Sequence, residues 1–171
     1  MVKKRILYLL HNAQGRRATA QMRDFDRPLT MKGRQQLKKL KHHLSRFPIE
    51  PDLVFCSKAR RARETYDELM PFCHEAHVVF PDFLYLASEY TLLELLNLVD
   101  DTIEQIMIIG HGPALLKFVQ LLVPNSVEIQ CKMPTGCPPA SLVRLSLPFH
   151  YGWQGFNLKQ AQLEEIFIPD A

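Results

Sequence analysis

The chain has 171 residues, 47% of them hydrophobic and 23% charged, which is the composition of an ordinary globular protein. This length is typical of one domain with a substantial core, and we predict a single domain over residues 1–171. No apolar run approaches membrane-spanning length. The net charge of +3 is mild, and the basic clusters lack the interleaved aromatic residues of nucleic-acid-binding surfaces. We therefore expect a cytoplasmic monomer that binds neither membranes nor nucleic acids.

The cysteines give no indication of a metal site or of a disulfide framework. Cys56, Cys73, Cys131 and Cys137 form no C-x-x-C pair, so metal binding is not predicted. A domain of this size does not need disulfides for stability, and reduced thiols are typical of the cytoplasm.

The first predicted element is a buried strand near the N-terminus. Residues 6–10 are all apolar and run directly into His11 and Asn12, a pattern typical of a central strand in a parallel sheet. Side chains just past the carboxyl end of such a strand lie where open α/β sheets bind their ligands. Whether His11 or Asn12 is a nucleophile is therefore the central functional question.

A turn, two helices and two strands are predicted next. Residues 24–30 form a compact turn fixed by Pro28, and Thr30 is a plausible N-cap for a helix that ends near Phe47. The apolar patterns then predict, in order, a strand at 52–57, a helix at 58–70, a short strand at 78–80 and an aromatic loop at 83–87.

The second half continues the alternation of helices and strands. We predict a helix at 91–99, a strand at 106–109, a helix from Pro113 to about Leu122 and an irregular segment at 124–139. Alternation at 142–147 predicts a half-exposed edge strand, and 153–158 and 163–168 suggest two more strands. The fold class is therefore α/β: a mainly parallel sheet with helices on both faces and an antiparallel C-terminal extension.

Three predicted buried strands end in polar residues, which a parallel sheet would bring to one edge. A phosphate-binding pocket is predicted there, because arginine suits phosphate oxygens and histidine can act as nucleophile or acid. The helix N-termini after Ser57 and Gly112 would add backbone N–H groups. The candidate residues are His11, Asn12, Arg27, Arg61, His111 and Gly112. The other histidines are expected on polar surfaces without a role, namely His42, His43, His74, His77 and His150.

Four segments occur in the order of a known family. They are Leu-Tyr-Leu-Leu-(His-Asn)-Ala, Asp-Phe-Asp-Arg-Pro-Leu-Thr-x-x-Gly-Arg, Pro-Asp-Leu-Val-x-x-Ser-x-Ala-x-Arg-Ala-Arg-x-Thr and Gly-His-x-Pro-x-Leu. Together they resemble the phosphohistidine phosphatase (SixA-type) branch of the histidine phosphatase superfamily, with the phosphoglycerate-mutase-like fold. The resemblance runs from about Lys4 to about Leu122 and weakly beyond.

The resemblance implies a three-layer α/β sandwich that needs no metal or organic cofactor. In such enzymes the histidine of an Arg-His pair after the first strand is phosphorylated, and water hydrolyses the phosphoenzyme. Carried over by position, Arg61 corresponds to the arginine after the second strand. His111 corresponds to the second histidine, and Arg27 to the arginine of the Arg-Pro-Leu-Thr turn. The implied substrate is a phosphorylated protein or a small phosphorylated molecule.

The first motif departs from the family pattern. Where the family has Leu-Leu-Arg-His-Ala, this chain has Leu-Leu-His-Asn-Ala, so without a gap Asn12 takes the nucleophile's position. The amide nitrogen of asparagine is not a nucleophile at neutral pH and only forms hydrogen bonds. A one-residue slip would instead put His11 in the nucleophile's place and Leu10 in the arginine's, and every side chain of the strand would change faces.

Three hypotheses follow. The chain is a phosphatase of unusual wiring with His11 as nucleophile and His111 and Arg61 as further catalytic residues. Alternatively, it is a pseudophosphatase that binds a phosphorylated partner without turnover. A cysteine phosphatase is the third, since Cys56 precedes an arginine-rich run, although its intervals to Arg61 and Arg63 are one residue short and one residue long.

Overall fold

The computed structural model describes residues 4–125, 127–148, 152–154 and 158–169. Within them, six strands form one sheet in the order β3-β2-β4-β1-β5-β6. The strands are β1 (Lys4–His11), β2 (Leu53–Cys56), β3 (His77–Val79), β4 (Gln105–Gly110), β5 (Leu142–Pro148) and β6 (Gln162–Phe167). The first four pair in parallel, and β5 and β6 are antiparallel. This confirms the predicted α/β class and its C-terminal extension.

The helices cover both faces of the sheet. They are α1 (Met31–Arg46), α2 (Arg60–Leu69), α3 (Glu89–Asn97), α4 (Ala114–Leu122) and α5 (Val127–Lys132). The predicted cap is present, because the Thr30 side chain accepts a hydrogen bond from the backbone N–H of Gly33. None of the helices in the described part of the chain is both long enough and apolar enough to cross a membrane.

Two apolar layers hold the helices against the sheet, and β1 contributes to both because its side chains alternate between the faces. Leu7 and Leu9 pack with residues of α3, α4 and α5, whereas Tyr8 and Leu10 pack with residues of α1 and α2. All four side chains are buried. The continuous apolar run at residues 6–10 therefore reflects a strand covered on both sides.

The structure corrects three predicted elements. The segment 142–147 is not an edge strand, because β5 pairs with both β1 and β6. Its two polar side chains find partners there: Arg144 lies over the Tyr8 ring, and the Ser146 hydroxyl donates a hydrogen bond to Glu164. The segment 124–139 is not wholly irregular, because it contains α5, whose Ile129 is buried in the core. Residues 83–87 fall largely within a short 3-10 helix, Asp82–Leu86.

Two predictions near the C-terminus have different outcomes. The strand at 163–168 is confirmed as β6. The strand predicted at 153–158 is not seen where the chain is described, since Trp153 and Leu158 lie in turns. Residues 155–157 and His150 lie outside the described residues.

The parallel strands bring the predicted polar residues to one edge of the sheet. In the register of the sheet, His11 lies opposite Gly110, and Cys56 lies opposite Ile109. The residues that follow β2 and β4, Ser57 and His111, therefore lie beside the end of β1.

Candidate phosphate-binding site

A cavity of about 250 Å³ lies at this edge of the sheet. Its lining residues are His11, Asn12, Gln14, Gly15, Arg27, Arg61, His111, Gly112 and Pro139. The fold thus brings together all six residues that the sequence singles out as site candidates. The N-termini of α2 and α4 contribute less to the cavity than the sequence predicts. Arg60, the first residue of α2, does not line the cavity, and neither does any residue of α4.

Arg61, on the first turn of α2, is the central cation of the cavity. Its side chain is 9% exposed, and it donates hydrogen bonds to the backbone oxygen (2.8 Å) and the carboxylate (3.1 Å) of Asp24. Gly15 leaves room for this side chain, because a Cβ there would lie 2.8 Å from Arg61 Cδ. The guanidinium is therefore held in one orientation by a neighbour of opposite charge.

His111, which follows β4, is fixed through both ring nitrogens. Arg61 Nη2 lies 3.2 Å from His111 Nδ1, and Ser57 Oγ lies 2.7 Å from His111 Nε2. Because a guanidinium can only donate, Nδ1 accepts, and the proton is on Nε2, facing Ser57. Burial and the adjacent Arg61 charge lower the pKa of His111 to about 3, so the ring is neutral at physiological pH.

His11, the last residue of β1, is held in one tautomer. Its Nδ1 lies 2.6 Å from the backbone oxygen of Cys137, which can only accept, so Nδ1 carries the proton and the neutral ring has its lone pair on Nε2. Burial lowers the pKa of His11, partly opposed by the carbonyls of Cys137 and Pro138. The ring packs closely on Gly112, where a Cβ would lie 3.4 Å from His11 Cε1.

Asn12 lies deeper, with only 4% of its surface exposed. Its side-chain nitrogen donates a hydrogen bond to the backbone oxygen of Ala13, at 2.9 Å. Its Oδ1 is buried and has no hydrogen-bond donor among the described residues. A buried acceptor without a donor is rare in folded proteins, and here it belongs to a residue that lines the cavity.

Arg27 reaches the cavity from the turn after a short 3-10 helix, Asp24–Asp26. It pairs with the Asp24 carboxylate at 2.6 Å and donates to the Arg16 backbone oxygen at 2.7 Å. The carboxylate of Asp24 thus joins both arginines and also accepts a hydrogen bond from the Tyr85 hydroxyl at 2.6 Å. That bond and the two arginines lower the pKa of Asp24. Two guanidinium charges and one carboxylate leave a net positive charge for an anion.

Sequence reasoning missed the residues that orient the charged groups. Asp24 lies in the turn that was predicted only as structure, and Ser57 was noted only as a strand end. Tyr85 has no local signal at all. Its ring lies edge-on against His111, with centroids 5.5 Å apart, and this contact joins segments far apart in the sequence.

The surroundings of Cys56 and Leu10 bear on two further predictions, a cysteine nucleophile and a register shift of β1. Cys56 is fully buried, absent from the cavity lining, and has its pKa raised by burial, which does not suit a thiolate nucleophile. Leu10 is fully buried under α1 and α2 and does not line the cavity. Both His11 and Asn12 line the cavity, and which of them corresponds to the family's nucleophile stays a prediction.

Comparison with known proteins shows which family and which solved structures this chain is similar to. The sequence model of the histidine phosphatase superfamily (branch 1) matches residues 10–82, a stretch that begins at the end of β1 and contains β2 and Arg61. A solved structure assigned as the phosphohistidine phosphatase SixA from Nakamurella multipartitia aligns with a TM-score of 0.79 at 25% identity, covering 98% of each chain. This chain is therefore similar to the histidine phosphatase superfamily in the sequence of residues 10–82 and in its fold.

Two further proteins are similar to this chain. A structure assigned as SixA from Agrobacterium tumefaciens has the same fold, with a TM-score of 0.80 at 23% identity over 96% of this chain and 98% of that one. An uncharacterised Mycobacterium leprae protein is 26% identical over 118 residues, 68% of this chain and 70% of its own. Where the resemblance predicts an Arg-His pair, this chain has His11-Asn12. Among its described residues, no cluster of potential ligands could hold a metal ion.

Proposed function

We propose that this protein binds the phosphoryl group of a phosphohistidine residue on a partner protein, and that His11 removes it. The observation that carries the proposal is the tautomer of His11, whose Nδ1–H is committed to the Cys137 carbonyl. This leaves the Nε2 lone pair free in a cavity that Arg61 and Arg27 also line. A neutral imidazole with a fixed orientation is a suitable nucleophile for phosphorus.

The proposed reaction has two steps. The Nε2 lone pair of His11 attacks phosphorus, the P–N bond of the substrate breaks, and the departing imidazole takes a proton from water. Water then attacks the phosphorylated His11, its proton passes to solvent, and inorganic phosphate leaves. Arg61 and Arg27 would stabilise the charge on the phosphoryl oxygens in both steps, and a phosphoryl oxygen would compete with Ser57 for the Nε2–H of His111.

A second candidate function is binding of the phosphorylated partner without turnover. The observation in its favour is Asn12, which by position replaces the family's nucleophile and offers only an amide. In that case the arginines and His111 would form a phosphohistidine reader. In either role we propose action in the cytoplasm, which the free state of all four cysteines supports.

The test is incubation with a peptide carrying ³²P-labelled phosphohistidine. We expect acid-labile label on the protein and release of phosphate, both reduced by at least about 10²-fold in His11→Ala. His111→Ala should also slow release. His42→Ala, which removes an exposed histidine of α1, is the matched control and should behave as wild type.

Three other results are decisive. Peptide binding without label transfer or release would favour the reader. Unchanged turnover in His11→Ala would exclude His11 as the nucleophile. Failure to bind both the phosphopeptide and inorganic phosphate would refute both candidate functions.

A further inference from the structure

A second cavity, of about 210 Å³, adjoins the phosphate-binding cavity and shares His111 and Gly112 with it. Its other lining residues are Leu84, Tyr85, Leu86, Ala87, Leu92, Gly110, Pro113, Ala114 and Leu115. None of these residues carries a charge. We call this cavity the apolar pocket. Its deepest side chains, Leu84, Leu92 and Leu115, are at most 2% exposed and belong to the core.

Tyr85 belongs to both the apolar pocket and the network around the phosphate-binding cavity. One side of it lines the apolar pocket, its ring edge contacts His111, and its hydroxyl donates to Asp24. Only the Tyr85 side chain would therefore separate a ligand in the apolar pocket from Asp24, the residue that holds both arginines.

The rim of the apolar pocket exposes further apolar surface. Leu86 is 84% exposed, and Phe25, which is 36% exposed, packs against Tyr85 with ring centroids 5.0 Å apart. Exposed apolar side chains grouped at the border of a polar cavity are typical of a recognition surface. By contrast, the hydroxyl groups of a sugar phosphate would lose hydrogen bonds to water in such a pocket.

We propose that the apolar pocket binds an apolar side chain adjacent to the phosphorylated residue of the partner protein. The inference rests on the proposed function and narrows its substrate class to phosphoproteins with an aliphatic or aromatic neighbour. The occupant is argued from the adjacency of the two cavities, which share His111 and Gly112. A chain with its phosphoryl group beside His111 would have a neighbouring side chain within reach of Tyr85 and Leu86.

The experiment compares two phosphohistidine peptides that differ only in the residues flanking the phosphohistidine, leucine in one and serine in the other. Dissociation constants are measured by titration calorimetry, with turnover as a second readout if it occurs. We expect the leucine peptide to bind about 10- to 100-fold more tightly, the range for burying one leucine side chain.

Two pocket variants test whether this preference arises at the apolar pocket. Leu86→Ser should reduce the difference between the peptides to a few-fold, whereas Leu98→Ser should retain it, because Leu98 is 80% exposed but does not line the pocket. Ala114→Leu, which fills the pocket, should weaken the leucine peptide selectively and leave the affinity for inorganic phosphate unchanged. Thermal unfolding of each variant verifies the fold.

The outcomes separate this inference from the proposed function. Equal affinities of the two peptides for the wild-type protein would overturn the apolar pocket as a subsite and leave phosphohistidine binding intact. Equal losses in Leu86→Ser and Leu98→Ser would also overturn it. Binding of inorganic phosphate but of neither peptide would refute the phosphoprotein class, and no binding of any of these ligands would refute the proposed function itself.

Discussion

The two walls of the phosphate-binding cavity differ in how completely their polar groups are bonded. On the wall formed after β2 and β4, Arg61 and His111 are each held by two partners. On the β1 wall, His11 has one hydrogen bond from its ring, and the Oδ1 of Asn12 has no donor among the described residues. The groups that we expect to hold an anion are therefore fixed by hydrogen bonds, whereas the polar groups at the end of β1 are less completely bonded.

The largest expected effect comes from removing the main cation of the fully bonded wall. Arg61→Ala should weaken binding of a phosphohistidine peptide by about 10²- to 10³-fold, because a buried charged partner of the anion is lost. Arg60→Ala is the matched control, since Arg60 is more than half exposed, pairs with Glu64 and does not line the cavity. Calorimetric titration measures both. Similar losses of peptide affinity in Arg61→Ala and Arg60→Ala would show that binding depends on the overall positive charge and not on the position of Arg61.

The β1 wall can be tested by restoring an imidazole at its buried position. In Asn12→His, the ring Nδ1–H can take over the hydrogen bond to the Ala13 oxygen and leave Nε2 free to attack. We expect phosphate release from the labelled peptide to rise at least tenfold, on the scale of one catalytic group.

Asn12→Asp is the isosteric control for this substitution. It should weaken phosphate binding by charge repulsion and add no turnover. If Asn12→His folds and binds the peptide but gains no activity, the altered residue at position 12 is not what limits the reaction.

His111, on the wall formed after β2 and β4, should also make the unfolding free energy depend on pH. The folded pKa of His111, about 3, lies well below its ordinary value of 6.5, so the unfolded chain binds the proton first as the pH falls. This contribution to stability is complete above pH 6.5 and is lost progressively toward pH 3.

Urea denaturation at pH 7 and pH 5 measures this contribution. Between these values the wild-type protein should lose roughly 1–2 kcal/mol more unfolding free energy than His111→Asn, in which the titrating ring is absent. The near-UV circular dichroism of the variant verifies native packing. An identical pH dependence in both proteins would mean that His111 does not remain neutral in the folded state.

The smallest effect is expected at Tyr85, which lines the apolar pocket and contacts both Asp24 and His111. Tyr85→Phe removes the hydroxyl that donates to Asp24 and should lower the unfolding free energy by about 1 kcal/mol. The pKa of Asp24 should rise, since this hydrogen bond is the main cause of its lowering. Tyr90→Phe, at a 60% exposed position on α3, should change neither quantity. The measurements are urea denaturation and carboxyl titration by NMR.

Much of the fold was predictable because it depends on local patterns. The apolar run before His11, the Thr30 cap and the spacing of leucines in α1 determine their elements from neighbouring residues alone. The parallel arrangement then follows from strands that alternate with helices, so the common location of His11, Arg61 and His111 could be expected as well.

What the sequence by itself determined, then, was the sheet, the edge at which its polar residues meet, and the replacement of Arg-His by His11-Asn12. Only the tertiary structure decided that β5 lies inside the sheet, that Asp24 joins the two arginines, and that Tyr85 links the apolar pocket to Asp24. Asp24 meets Arg61 across 37 positions of the sequence and Tyr85 across 61, and β5 pairs with the N-terminal strand β1. A local pattern carries no information about such contacts. The same holds for the tautomer of His11, because the carbonyl that fixes it belongs to Cys137.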